Sequence, residues 1–446
     1  MNRKKFKKLK KEKFGAILPI TLLSYFLILM DNSIVFTSSV QIGNSLGLTP
    51  AALSWVSSAY TLTFGGLLLL SGRLSDLIGR KRIFLIGLLI FGFTSLVIGV
   101  SNSAKIVITM RAIQGIGSSI IAPITLALIM DAYQNDMRQR AISYYGATAG
   151  IGSSIGLLVG GGLTSLISWR AGFLINVPFT ILLFILTLKY VKHSEIKKES
   201  IDYLGSFLSI IGLVGVIYGL TEGELNLVFI GMLFLVVFIF GEKKTLSPLL
   251  PLVLFKNKIR SGAYITRLLF MMTMLPFWFF LPQMMQNQYG FSALESGFAF
   301  LPLTIVNFII ALQLPKLTMK FGNNMVLLFG EIILAIGLIL LALSNYEKGY
   351  WQTIFIPMII LGLGQGLILA PVTSAGIHEA PDNLSGIASG VTNTMHQIGG
   401  PIGLSLIIST TTDFQNKIWI MVAFTLISIL VICTMLQNGS IKIKKR

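Results

Sequence analysis

Gly72-Arg-Leu-Ser-Asp-Leu-Ile-Gly-Arg-Lys-Arg82 is a charged turn clamped between two apolar stretches, residues 52–71 and 83–101. Each flank is long enough for a bilayer, whose core of roughly 30 Å takes about 20 apolar residues in a helix. The turn is too short to be a domain, and it gathers Arg73, Arg80, Lys81 and Arg82 around the single carboxylate Asp76. Gly72 and Gly79 let the two helix ends approach and reverse direction. Cations gathered at a helix–helix joint mark the cytoplasmic side.

The rest of the chain agrees with a membrane reading. Of 446 residues, 54% are hydrophobic and only 12% charged, far too apolar for a soluble protein of this length. A net charge of +18 raises the question of nucleic acid, and the placement of the charges answers it. Of the 35 Lys and Arg, 29 fall in the two termini and in alternate loops. The opposite loops hold only Lys105, Arg170, Lys348 and Lys417, and Arg111 and Arg267 lie within apolar stretches. That asymmetry puts both termini in the cytoplasm, with the basic tails on anionic lipid headgroups and no role for nucleic acid. The first apolar stretch lacks a small-residue cleavage site and is expected to stay as a span. The single Cys433 excludes an intrachain disulfide framework.

Hydropathy gives fourteen spans, near 14–38, 52–73, 82–101, 105–131, 140–165, 171–190, 203–221, 225–241, 259–286, 293–314, 324–343, 351–376, 385–410 and 417–437. An even count returns both ends to one side, as the charges require. The sequence also repeats: residues 114–132 align with 362–380, Ala122-Pro-Ile-Thr125 meeting Ala370-Pro-Val-Thr373 and Asp131-Ala132 meeting Glu379-Ala380. Residues 315–324 are a decayed copy of the charged turn, keeping Lys320 and Gly322 but no acid.

Several motifs carry a resemblance. The charged turn is similar to the G-x-L-x-D-[RK]-x-G-R-[RK]-[RK] loop of the major facilitator superfamily, with Leu77 where a cation is usual. Arg111-Ala-Ile-Gln114-Gly-Ile-Gly117 resembles that superfamily's R-x-x-Q-G-x-G. Asp31-Asn-Ser33-Ile-Val resembles the D-x-T-I-V of its fourteen-helix drug:proton antiporter branch, the QacA-like multidrug efflux transporters, although Phe36-Thr-Ser-Ser-Val40 replaces the usual continuation. Residues 152–161 resemble the antiporter motif G-x-x-x-G-P-x-x-G-G with Leu157 in place of proline. Trp169-Arg-Ala-Gly-Phe-Leu-Ile-Asn-Val-Pro178 looks like the branch's W-R-W-I-F-x-I-N-V-P connector. Leu281-Pro-Gln-Met-Met-Gln286 and Gln397-Ile-Gly-Gly400 add two further partial matches, the second with His396 in an arginine position.

The resemblance implies an all-α membrane protein of the major facilitator fold: two six-helix bundles plus two extra inserted helices. The expected division is a basic tail (1–13), an N-terminal bundle (14–190), a linker with the two extra helices and an amphipathic cytoplasmic segment (191–258), a C-terminal bundle (259–437) and a basic tail (438–446). Spans 1, 4, 9 and 12 are expected to line a central cavity.

Asp31 lies in the outer half of the first span, where a carboxylate costs about 2.5–3.5 kcal/mol on insertion scales and needs a partner, a cavity or a proton. Counting rises of about 1.5 Å per residue from each end puts Arg111 at a similar depth. Two readings stand: a permanent structural pair, or a pair whose opening lets Asp31 take a proton. Asn32 and Gln114 accompany them in the same motifs. Asp76, Arg80 and Asp131 read as a cytoplasmic gate that latches the two halves, and Gly152, Gly156 and Gly160 as close-packing positions. The ninth span brings Arg267, Met271, Met272, Met274 and Phe277-Trp278-Phe-Phe280, suited to a drug pocket or simply to helix packing. Arg267 could equally snorkel to the inner headgroups. His396 reads as a proton relay or as a packed, hydrogen-bonded histidine. Glu222 closes a helix and is a candidate for proton coupling or substrate binding, Glu224 belongs to a solvated turn, and Glu331 is a further candidate proton site although its span is peripheral.

The implied function is proton-driven export of lipophilic, cationic drugs or dyes by a monomer in the cell membrane. Asp31 would attract the cation from inside and release it when protonated outside. The alternative is a selective metabolite or lipid transporter on the same fold; a third class is a receptor-like protein that transports nothing. No metal-ligand cluster, phosphate loop or nucleophile–base pair points to an enzyme, and no cofactor is expected beyond protons as the coupling ion.

Overall fold

The computed structural model describes residues 14–192, 202–245, 248–381 and 384–437. The basic tails, most of the linker after Lys192, and Leu246 and Ser247 of the amphipathic segment lie outside the described residues. Thirteen helices among the described residues are long and apolar enough to cross a membrane. In chain order they are α1 (Ile17–Leu46), α2 (Pro50–Ile78), α3 (Arg80–Val100), α4 (Ala104–Ala132), α5 (Asn135–Leu166), α6 (Trp169–Tyr190), α7 (Tyr203–Glu222) and α8 (Leu225–Glu242). After a short 3-10 turn at Leu252–Lys256 come α9 (Lys258–Tyr289), α10 (Ala293–Phe321), α11 (Asn323–Ala342) and α12 (Phe355–Gly376). A further 26-residue helix, α13 (Ser385–Thr410), precedes α14 (Phe414–Gln437). Too polar to be counted on composition, α13 carries Asn393, Thr394, His396 and Gln397, and it packs inside the bundle against α2 and α9.

Local chemistry sets the helix ends. Thr49 accepts a bond from the Ala52 amide with Pro50 at the first helical position, and Asn257 caps α9 through the amides of Ile259 and Arg260. Ser292 and Glu295 form a reciprocal capping box at the start of α10. The turns α2–α3 and α10–α11 pivot on Gly79 (φ 98°) and Gly322 (φ 81°), a backbone region other residues avoid. The decayed copy of the charged turn therefore keeps the one residue its geometry needs. Helix α1 runs eight residues beyond the expected boundary at 38, because nothing in 39–46 breaks it before Gly47 turns left-handed.

Helices α1–α6 pack among themselves, as do α9–α14. Helix α5 lies along α1, where a Cβ on Gly156 or Gly160 would come within 2.8 Å of the Met30 carbonyl oxygen or 2.6 Å of the Ile34 Cα. Gly152 meets Leu29 on the same face, and Leu157 is buried with its carbonyl against Gly297 of α10. The α7–α8 hairpin docks on the seam between α2 and α13 through Trp55–Tyr218 and a 2.7 Å Thr221–Ser405 hydroxyl bond. Large apolar side chains such as Phe229, Leu233 and Phe240 face outward from α8, as lipid contact requires.

The two sets of six helices meet along the α2–α13 seam, where Gly65 lies against Gln397 and Gly390 against Leu69, and away from that seam they touch at one end and part at the other. Away from the charged turn, the Gln41 amide donates to the Gln286 carbonyl oxygen at 3.0 Å and the Gln286 amide donates to the Thr37 carbonyl at 3.0 Å. There too the Leu294 amide bonds Ser165 at 3.1 Å, and Gly161 lies against the Ala293 backbone. At the end bearing the charged turn, a cavity of about 1170 Å³ runs inward to Tyr25, Phe64 and His396. A smaller depression of about 340 Å³ at the closed end is lined by Tyr346, Glu347 and Gln415.

Residues 248–256, part of the expected amphipathic segment, pack against the helix ends. Pro248, Leu249 and Pro251 edge the cavity mouth, and Leu249 and Leu254 are buried. The segment is tied down by three side chains: Arg73 to the Pro248 carbonyl, Glu242 to the Leu250 amide at 2.8 Å, and Arg260 to the Leu254 carbonyl at 2.9 Å.

Candidate functional site

Asp31 and Arg111 form an ion pair at 2.6 Å with both side chains fully buried. Their expected equality of depth becomes direct contact because α1 and α4 pack side by side. Arg111 also donates from Nη1 to Gln114 Oε1 at 2.7 Å and from Nε to the Val56 carbonyl at 2.9 Å. Its guanidinium lies 4.1 Å above the centre of the Tyr60 ring. The other Asp31 oxygen accepts from Gln114 at 3.1 Å and from Asn176 at 2.7 Å. Ser95 joins by accepting from Gln114 at 2.8 Å. Three donors around two oxygens suit an ionised carboxylate, which is acceptor-only.

Asn176, Ser95 and Tyr60 were not foreseen as part of this cluster. Asn176 had a signal, since it is the asparagine of the 169–178 connector; Ser95 and Tyr60 had none in an apolar context. Asn32, one residue on from Asp31, points about 100° away around the helix and takes no part; its Oδ1 is buried without a partner.

All members of the cluster come from α1, α2, α3, α4 and α6. Asp31 does not line the cavity: α1 turns Tyr25, Ile28 and Leu29 to it and Asp31 to its own bundle. The expected picture of an exposed carboxylate awaiting a cation is corrected here, because Arg111 and two amides occupy the carboxylate.

Asp76, Arg80 and Asp131 are brought together at the cavity mouth, Arg80 bonding Asp76 at 3.3 Å and Asp131 more closely. Among the described residues, the bonds within this trio run between α2, α3 and α4. Arg73 of the charged turn donates to the Pro248 carbonyl and so ties the turn to a later segment.

Arg267 is buried and lines the cavity, so it does not snorkel to headgroups. His396 faces the same space, and its Nδ1 has no hydrogen-bond partner, which sets aside the cross-helix bonded reading. Trp278 packs toward Phe36 with ring centres 6.1 Å apart, and Met271, Met272, Met274, Phe277, Phe279 and Phe280 are buried. None of these lines the cavity. The aromatic wall is made instead by Phe64 and by Tyr25 stacked on Tyr145 at 4.1 Å. Glu222 and Glu224 are exposed in the α7–α8 turn, outside both cluster and cavity. Glu331 is fully buried in α11, away from the cavity lining.

The sequence matches the Major Facilitator Superfamily profile over residues 21–404. It is 31% identical over 403 residues to the cephamycin export protein CmcT of Amycolatopsis lactamdurans, covering 87% of this chain and 83% of that one. It is also 31% identical over 414 residues to the puromycin resistance protein pur8 of Streptomyces alboniger, covering 89% and 81%. The crystal structure of a D-xylose–proton symporter has the same fold, with a TM-score of 0.70 at 13% identity, covering 94% of this chain and 97% of that one. The helices, the central cavity and these matches together make the chain a multi-pass plasma-membrane transporter belonging to the Major Facilitator Superfamily.

Proposed function

We propose that the protein is a proton-coupled multidrug exporter of the fourteen-helix antiporter branch, acting as a monomer with both termini in the cytoplasm. Relatives named for cephamycin export and puromycin resistance support drug efflux, and the 29 cations on one face against four on the other support the orientation. On that orientation the cavity described here opens to the cytoplasm, the state that loads cargo.

The observation that carries the coupling is the sealed Asp31–Arg111 pair. Ionised Asp31 holds α1, α4 and α6 together through Arg111, Gln114 and Asn176. A proton on Asp31 removes its charge and turns one acceptor oxygen into a donor, so those bonds weaken together. Helix α1 belongs both to this cluster and to the cavity wall, which lets the same helix answer to a proton and to cargo. In the outward-open state Asp31 takes a proton from outside; the return to the inward-open state carries it in and re-forms the pair.

The test is export into everted vesicles under an imposed pH gradient, using lipophilic dyes of both charges. The intact chain accumulates dye and releases protons in step; Asp31→Asn, with its network kept in shape, retains dye binding and loses gradient-driven accumulation. Uphill accumulation by Asp31→Asn equal to that of the intact chain would falsify the coupling.

A further inference from the structure

The deep part of the cavity carries positive charge with no acid beside it. Arg267 is only 7% exposed and lines the cavity, its Nε has no hydrogen-bond partner, and its Nη1 reaches only the Leu369 carbonyl at 3.4 Å. Among the described residues no carboxylate lies within ion-pairing distance of it. His396 lies within its field and also turns to the cavity with Nδ1 unpartnered. The acids of the cavity wall, Asp76 and Asp131, sit at the mouth and are both bound to Arg80. Asp31 is sealed behind Arg111.

A buried guanidinium without a counter-charge is costly, and the cost falls when an anion arrives. A cationic guest at the same depth would meet like charge in a medium that screens poorly. The same cavity has an apolar and aromatic side, formed by Phe64, Leu68, Leu69 and the stacked Tyr25 and Tyr145, while Asn393 and Gln397 line it on α13 beside His396. From this juxtaposition we infer that the exporter's preferred cargo is a lipophilic organic anion. Its carboxylate, sulfonate or phosphate is held by Arg267 with help from His396, and its flat apolar body lies on the tyrosine pair. The inference rests on the cavity being the transport site proposed above. It reverses the sign of cargo that the sequence suggests through Asp31.

Two xanthene dyes of similar size and opposite charge, fluorescein and rhodamine 6G, provide the test by fluorescence polarisation on the purified full chain in an uncharged detergent. The intact chain binds fluorescein saturably and more tightly than rhodamine 6G. Arg267→Gln weakens fluorescein by about tenfold or more, as expected for a lost charge-assisted bond, and strengthens rhodamine 6G. Arg267→Lys keeps most of the fluorescein affinity. A gain in rhodamine 6G binding cannot come from misfolding, which lowers both. An intact chain that prefers rhodamine 6G overturns the inference whatever the variants do, as does unchanged fluorescein binding in Arg267→Gln. Added phosphatidylglycerol identifies the anion's source: competition with fluorescein places a lipid headgroup on Arg267, and its absence assigns the site to free solutes. Because binding needs no gradient, a chain that binds fluorescein yet drives nothing in vesicles keeps the anion site and loses the export reading.

Discussion

Arg111 and Asp31 meet Nη1 to Oδ2 at 2.6 Å, with neither side chain reached by solvent. Removing one member of a buried pair strands the other in low dielectric, which typically costs about 3–5 kcal/mol. Arg111→Gln and Asp31→Leu are each expected to lower the melting temperature of the purified protein strongly. The double variant should recover a large part of the loss, because no charge is left alone. Strictly additive losses across the double-mutant cycle would mean that the two side chains are not coupled.

The glycines of α5 provide a test of packing. A Cβ at Gly160 would sit 2.6 Å from the Ile34 Cα, while one at Gly146 meets nothing within 4 Å. Gly160→Val is expected to cost about 1–3 kcal/mol through overpacking, and Gly146→Ala to be neutral or mildly stabilising. Thermal melts of the two variants side by side check this, and equal melting points would contradict the close approach of α1 and α5.

How much of this was legible beforehand follows from what each signal measures. Counting rises along a helix recovers depth, so the Asp31–Arg111 pairing could be read from sequence. It does not recover which way a side chain faces when the helix is apolar on all sides, because no periodicity then marks the buried face. That is why Asp31 was expected in the cavity and is found behind α1, and why Met271, Met272 and Phe277 were candidates for a pocket they do not line. Asp76, Arg80 and Asp131 were correctly brought together by motif. Tyr25 stacked on Tyr145 was invisible, since an aromatic pair between α1 and α5 has no sequence spacing to betray it.

Arg80 and Asp131 predict a contrast with the buried pair. Asp131 is 52% exposed, so its ion pair is screened by solvent and salt. Asp131→Asn is expected to change stability by less than about 1 kcal/mol, and less still at high ionic strength. A loss comparable to that of Asp31→Leu in the same melting assay would show that the mouth cluster bears more of the fold than its exposure allows.

Glu331 is fully buried between α11 and its neighbours with neither carboxyl oxygen hydrogen-bonded and the Ser428 hydroxyl beside it. A buried polar group left unsatisfied costs about 1–3 kcal/mol by mutational measure. Replacing it by an apolar residue of similar length, Glu331→Met, is expected to raise stability by an amount of that order. Dye export should persist, since α11 contributes no residue to the cavity. Abolished export in a stabilised Glu331→Met protein would instead place this carboxyl in the coupling path.

Gln286 fastens the closed end by two bonds across the halves, accepting from Gln41 and donating to the Thr37 carbonyl, each at 3.0 Å. Those bonds exist only while that end is shut, so their loss acts on the balance between inward- and outward-open states rather than on folding of either half. Net contributions of about 0.5–1.5 kcal/mol per bond, taken over the two bonds, correspond to a shift of roughly 5- to 150-fold in that balance. Gln286→Ala should therefore populate the outward-open form. A cysteine at Thr37, which is buried here and bonds Gln286 only through its backbone, reports the change once the exposed native Cys433 is replaced by serine. Thr37→Cys should react slowly with an impermeant maleimide added outside, and several-fold faster when Gln286→Ala is added. Equal labelling rates in the two backgrounds would mean that the outer closure is held by other contacts, such as Gly161–Ala293, Ser165–Leu294 and Leu157–Gly297, without need of Gln286.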